Sequence, residues 1–121
     1  MRDIVLFGLG MALAGCATPQ RPASPASPEE LKARSEQAAA DCRAQPLTSF
    51  VTRAQCLNDA ASIAAPTAEN PDLLQRALAS RLQIAERVDD KQITPAQGGK
   101  EYAKITSELA AEAKRRLAAG E

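Results

Sequence analysis

Histidine is absent from all 121 residues, which removes the usual general base at neutral pH and the commonest zinc ligand. Any chemistry would rest on carboxylates, arginines or thiols. The carboxylate pairs are Glu29-Glu30 and Glu108 with Glu112. Acid–base work by two carboxyls needs surroundings that push their pKa values apart, and nothing near these residues does so; they read as solvated helix charge. Asp89-Asp90 before Lys91 offers oxygen ligands, but a calcium loop needs acids at alternating positions, so the pair reads as turn residues. Gly98-Gly99 alone makes no phosphate loop, and there is no G-x-S-x-G elbow. Arg81 falls inside an apolar arc between Leu78 and Leu82. It is either a ligand-binding arginine or, more commonly for such a placement, a snorkelling or salt-bridged one. Lys114-Arg115-Arg116 is too short a run for a lipid-headgroup site. No catalytic residue and no metal ligand is assigned, and the chain reads as a non-enzyme.

Three thiols remain: Cys16, Cys42 and Cys56. The first follows "MRDIVLFGLGMALAG". Its apolar stretch, Ile4 to Ala14, is shorter than the roughly 20 residues a spanning helix needs and fits the apolar region of a secretory signal. The stretch closes on Leu13-Ala14-Gly15-Cys16, which resembles the lipobox of bacterial lipoprotein precursors at all four positions. Asp3 offsets Arg2, so the basic start is weaker than in that pattern. The resemblance implies a diacylglyceryl thioether on Cys16, cleavage between Gly15 and Cys16, and N-acylation of the freed amine. These lipids are the only attached groups expected; no other cofactor is. At about 0.8 kcal/mol per buried methylene, two or three chains make a stable anchor where one does not. Ala17, in place of Asp, implies the outer membrane facing the periplasm ahead of the inner membrane.

With Cys16 lipidated, Cys42 and Cys56 are an even remainder in an exported chain, which favours a disulfide. Two free buried thiols, or a redox or metal pair, are the competing readings; the spacing is not C-x-x-C. Around a turn centred near Leu47 the two cysteines would sit about four residues out of level, roughly 6 Å at the helical rise. An angled crossing or an early end to the first helix would remove that mismatch.

The elements that must position these residues are helices. Residues 1–15 are expected to be a cleaved signal peptide and 16–27 the lipidated start of a tether. Pro19, Pro22, Pro25 and Pro28 extend that tether by about 3 Å per residue, a stand-off of about 30 Å. Residues 28–121 form an alanine-rich helical domain. Ser27-Pro28-Glu29-Glu30 is a capping box opening a helix to about Ala44, with Leu31, Ser35, Ala38 and Cys42 on one stripe. A second helix runs from Thr48 or Ser49 to Ala65, its apolar face made by Phe50, Ala54, Leu57, Ala61 and Ala64. Asn70-Pro71-Asp72 caps a third, with Leu74, Ala77, Leu78, Leu82, Ala85 and Val88, ending near Asp90. Thr94-Pro95-Ala96-Gln97 caps a fourth, which with glycines at 98 and 99 starts either weakly at Pro95 or firmly only at Lys100. Tyr102, Ile105, Leu109, Ala113 and Leu117 make its stripe. No segment alternates with period two. The fold expected is all-α, a small four-helix arrangement with a long antiparallel C-terminal hairpin.

Residues 70–109 are similar to small uncharacterised helical lipoproteins of proteobacteria, in which a helix ends in a short polar turn and restarts at an Ile-Thr-Pro segment. That likeness supplies no catalytic residue. Fifteen basic against fifteen acidic side chains give no field that would recruit nucleic acid. The first expectation is an envelope lipoprotein, membrane-attached through its lipids, that binds another envelope protein by an exposed stripe of Leu and Ile. The alternative is a periplasmic carrier holding a small hydrophobic or lipid ligand between its helices.

Overall fold

The computed structural model describes residue 15 and residues 24–121; the expectations for the leader, for Cys16 and for most of the tether lie outside the described residues. Four helices follow one another: α1 Pro28–Ala44, α2 Phe50–Ile63, α3 Pro71–Asp89 and α4 Pro95–Ala119, with a 3-10 turn at Ala65–Thr67 between α2 and α3. The described residues contain no strand. The fold is all-α, with α3 and α4 forming the long hairpin.

The helix starts follow local chemistry. At α1 the Glu30 amide donates to Ser27 Oγ at 3.2 Å and the Ser27 amide donates back to Glu30 Oε2 at 3.1 Å. Thr94 and Gln97 repeat this reciprocal box at α4. Ser49 caps α2 by accepting from the Thr52 amide at 2.9 Å. The third start departs from expectation. Asn70 makes no side-chain cap bond; its Oδ1 instead accepts from Arg116 Nη1 at 3.2 Å, leaving Pro71 with its preset φ to open the helix.

One boundary differs from the sequence reading, and one open choice is decided. Helix α2 stops at Ile63, because Pro66 offers no amide and disfavours helical backbone in the residue before it. The chain tightens there into short-range bonds, Ala64 N to Ala61 O at 3.2 Å and Thr67 N to Ala64 O at 3.0 Å. Helix α4 runs unbroken from Pro95 through both glycines. A Cβ at position 98 would come within 3.0 Å of both Ile84 Cγ2 and Val88 Cγ2. Glycine there lets α4 close on α3, and the packing gained outweighs its low helix propensity.

Each helix packs on its sequence neighbour, α1 on α2, α2 on α3 and α3 on α4. The core is Leu73, Leu78, Ile84, Ala85 and Val88 of α3 with Leu109, Ala54, Ala60 and Cys42. Helix α3 is covered by α2 on one side and α4 on the other. That widens its buried arc to include Leu73 and Ile84, which the single-stripe reading missed. Leu117, expected on the α4 stripe, is 75% exposed: α4 has 25 residues against 19 in α3, so its last turns overhang the hairpin.

Cys42 and Cys56 form a disulfide with Cα atoms 5.8 Å apart. The expected 6 Å mismatch disappears because the turn is not centred. Cys42 lies two residues before the end of α1 and Cys56 six after the start of α2. Extended backbone at Gln45 and Ser49 carries the chain beyond the end of α1 before α2 turns back. Ser35, the polar member of the α1 stripe, adds a second tie by donating to the Ala60 carbonyl at 2.8 Å.

Candidate functional site

All four helices contribute to a groove of about 320 Å³. Its floor is apolar, with Phe50, Ala54 and Leu57 from α2 and Ile84, Ala85 and Val88 from α3. Pro95, Gly99 and Tyr102 make the α4 wall, and three arginines, Arg43, Arg53 and Arg81, also line the groove. No carboxylate lines it. A neighbouring hollow of about 210 Å³ shares Arg43, Leu57 and Arg81 and adds Ser35 and Glu36 on the α1 side.

Arg81 is the fixed member of the three. Its Nη1 donates to Asn58 Oδ1 at 3.0 Å, while Asn58 Nδ2 donates to the Leu78 carbonyl at 2.9 Å. The guanidinium carbon lies 5.0 Å from the centre of the Tyr102 ring, a cation–π contact of about 0.5–2 kcal/mol depending on solvent access. The salt-bridged form of the expectation is corrected: both partners of Arg81 are neutral, and it has no ion pair among the described residues. Arg53 Nη2 donates to the Gln45 carbonyl at 2.6 Å, also neutral. Arg43 has no side-chain partner among the described residues.

Of the other arginines among the described residues, Arg34 and Arg76 have no ion pair and three do. Arg87 pairs with Glu101 at 2.6 Å. Arg116 pairs with Asp72 at 2.8 Å and Glu112 at 3.2 Å, and Arg115 also pairs with Glu112. The bidentate hydrogen bonding of Arg116 holds the Asp72 carboxyl down at about 2. Hydrogen bonds from Arg115 and then Arg116 lower the Glu112 pKa, and the same contacts raise that of Arg116. The Arg115–Glu112 pair borders a hollow of about 500 Å³ between α3 and α4, lined also by Arg76 and Glu108. Its charges of both signs offset each other, so it presents no consistent electrostatic feature to a ligand. The groove does.

The other residues weighed in the sequence find structural work. Glu30 closes a cap, Glu112 is held ionised between arginines, and Glu108 faces Lys104 at 3.9 Å on the surface. Asp89 is no simple turn residue. Its carboxylate accepts from the amides of Phe50 at 2.9 Å and Val51 at 3.0 Å, so the end of α3 caps the start of α2. No group of three or more Cys, Asp or Glu side chains among the described residues is arranged to hold a metal. Cys16, and with it the junction to Gly15, lies outside the described residues.

Asn58, Arg43 and Arg53 were not singled out by the sequence reading. Asn58 did carry a signal. It sits four residues after Ala54 and three before Ala61, inside an apolar stripe, and faces the one arginine inside the apolar arc of α3. Compared with family models, curated proteins and solved structures, the chain matches none.

Proposed function

We propose that this is a non-catalytic lipoprotein of the cell envelope, held by acyl chains on Cys16 at the periplasmic face of the outer membrane, whose helical domain binds its ligand in the arginine-lined groove. The anchor rests on the Leu13-Ala14-Gly15-Cys16 lipobox. It is consistent with a domain in which no described helix is long and apolar enough to cross a membrane. The binding reading is carried by one observation: residues of four helices line one apolar floor together with three arginines that lack acidic partners among the described residues.

Of the two binding modes expected from the sequence, this geometry favours a ligand held between the helices. Among the described residues the exposed large apolar side chains are Leu47 and Leu117, one in the α1–α2 turn and one near the end of α4. The Asp89–Phe50 and Arg116–Asp72 bonds put these two places at opposite ends of the bundle. Two separated leucines do not make the contiguous patch that a specific protein–protein interface buries. The groove volume falls at the lower end of the roughly 300–1,000 Å³ typical of small-molecule sites.

The test has two arms. Radiolabelled palmitate is expected to enter the wild type and not Cys16→Ala. A photoreactive benzoylphenylalanine at position 102 is expected to form an adduct in intact cells. The same group at position 104, about 200° around the helix, is expected to form none. A light adduct supports the ligand reading and a protein-sized one the partner reading. Equal adducts at both positions, or none at either, would remove the groove as the site.

A further inference from the structure

We infer that the groove selects an anionic amphiphile: a monocarboxylate with a short aliphatic or aromatic body, the carboxylate meeting Arg43 and Arg81 and the body lying on Phe50, Ile84 and Val88. This rests on the groove being the binding site, as proposed above, and adds the chemical class of what it holds.

Charge complementarity carries the choice. Arg43, Arg53 and Arg81 all line the groove, and none is paired with a carboxylate among the described residues; Arg76 is also unpaired, but it shares its hollow with Glu108 and Glu112, whereas no acid lines the groove. Asp89, whose carboxylate abuts the start of α2, has both oxygens occupied by backbone amides. Glu36 enters only the neighbouring hollow. A cationic ligand would meet three like charges and a neutral one would leave them uncompensated. A carboxylate accepts charge-assisted hydrogen bonds from the guanidinium forks. Asn58 and Tyr102 hold the Arg81 guanidinium in place, so little of its freedom remains to be lost on binding. The site is small and apolar-floored, which favours a compact body over a bulky polar one.

The structure supplies a clean way to close the groove. Gly99 lines it, and a Cβ built there meets nothing within 4 Å. Leucine at this position would project into the groove while improving helix propensity. Arg43→Gln removes a charge that bonds to nothing else among the described residues, so the fold does not depend on it.

The experiment is a calorimetric and NMR titration of the full mature protein with four probes: decanoate, decyltrimethylammonium, decan-1-ol and a glutamate decapeptide. Decanoate is expected to bind and to shift the amides of residues lining the groove, while the cation, the alcohol and the peptide bind at least tenfold more weakly. Arg43→Gln is expected to weaken decanoate about tenfold. Gly99→Leu is expected to abolish its binding while raising the melting temperature. Equal binding of the alcohol or the cation, preference for the peptide, or unchanged affinity in both variants would overturn the assignment. If decanoate fails while the position-102 photoadduct forms, the ligand class is wrong and the site stands; if both fail, the site goes too.

Discussion

The adjacent glycines of α4 are expected to respond to the same substitution with opposite signs. Neither has positive φ; among the described glycines only Gly120 does. Replacing a helical glycine by alanine is worth about 1 kcal/mol in propensity, and this gain is shared by positions 98 and 99. Their surroundings are not shared. A methyl at 99 meets nothing within 4 Å, so Gly99→Ala should keep the full gain, a rise of about 4–8 °C in melting temperature for a domain of this size. A methyl at 98 lies 3.0 Å from the γ-methyls of Ile84 and Val88, against about 3.5–4.0 Å for an unstrained carbon pair. Both neighbours are buried and β-branched, and they are stiff at χ1. Overpacking of this kind costs about 1–3 kcal/mol, so Gly98→Ala should end between neutral and about 2 kcal/mol destabilised. Subtracting one variant from the other cancels propensity and leaves the overpacking cost alone. Urea unfolding of the oxidised protein, with equal m-values in both variants as the control, measures that difference. Equal stabilisation by the two substitutions would refute the close α3–α4 approach.

Asp89→Ala removes the acceptor for two amides at the start of α2 and should cost about 0.5–2 kcal/mol, the range for a lost cap; faster hydrogen exchange at Phe50 and Val51 should accompany it. Thiol titration of the unfolded, unreduced mature chain should find no free group. Replacing Cys42 and Cys56 by alanine should lower stability by about 3 kcal/mol, the chain-entropy value for a loop near fifteen residues. Asp72 titrates at about 2 when folded, below its ordinary 3.8. Its stabilisation is therefore complete above 3.8 and fades as pH falls toward about 2. The stability gap between wild type and Asp72→Asn should narrow across that window, and a gap that stayed constant would contradict the pairing with Arg116.

The helices were legible because their starts are written in adjacent residues. Ser27-Pro28-Glu29-Glu30 and Thr94-Pro95-Ala96-Gln97 state a cap, a proline and a reciprocating side chain within four positions, and both boxes form. What depended on partners distant in sequence was not legible. Asn70 looks like a cap, but the arginine that diverts it is 46 positions away. Asp89 looks like a turn residue until α2 brings two amides to it from 38 and 39 positions away. The groove failed to appear for the same reason. Arg43, Arg53 and Arg81 sit on three different helices, and only the serpentine packing places them around one floor. The disulfide was reached by counting, and its geometry only by the staggered ends of α1 and α2.

The most direct measurement is native mass spectrometry of the protein extracted from its own membranes, comparing wild type with Gly99→Leu. The wild type is expected to carry a small molecule that departs on unfolding, and the variant to be folded, lipidated and empty. Two chains equally loaded, or two equally bare, would contradict a ligand site in the groove.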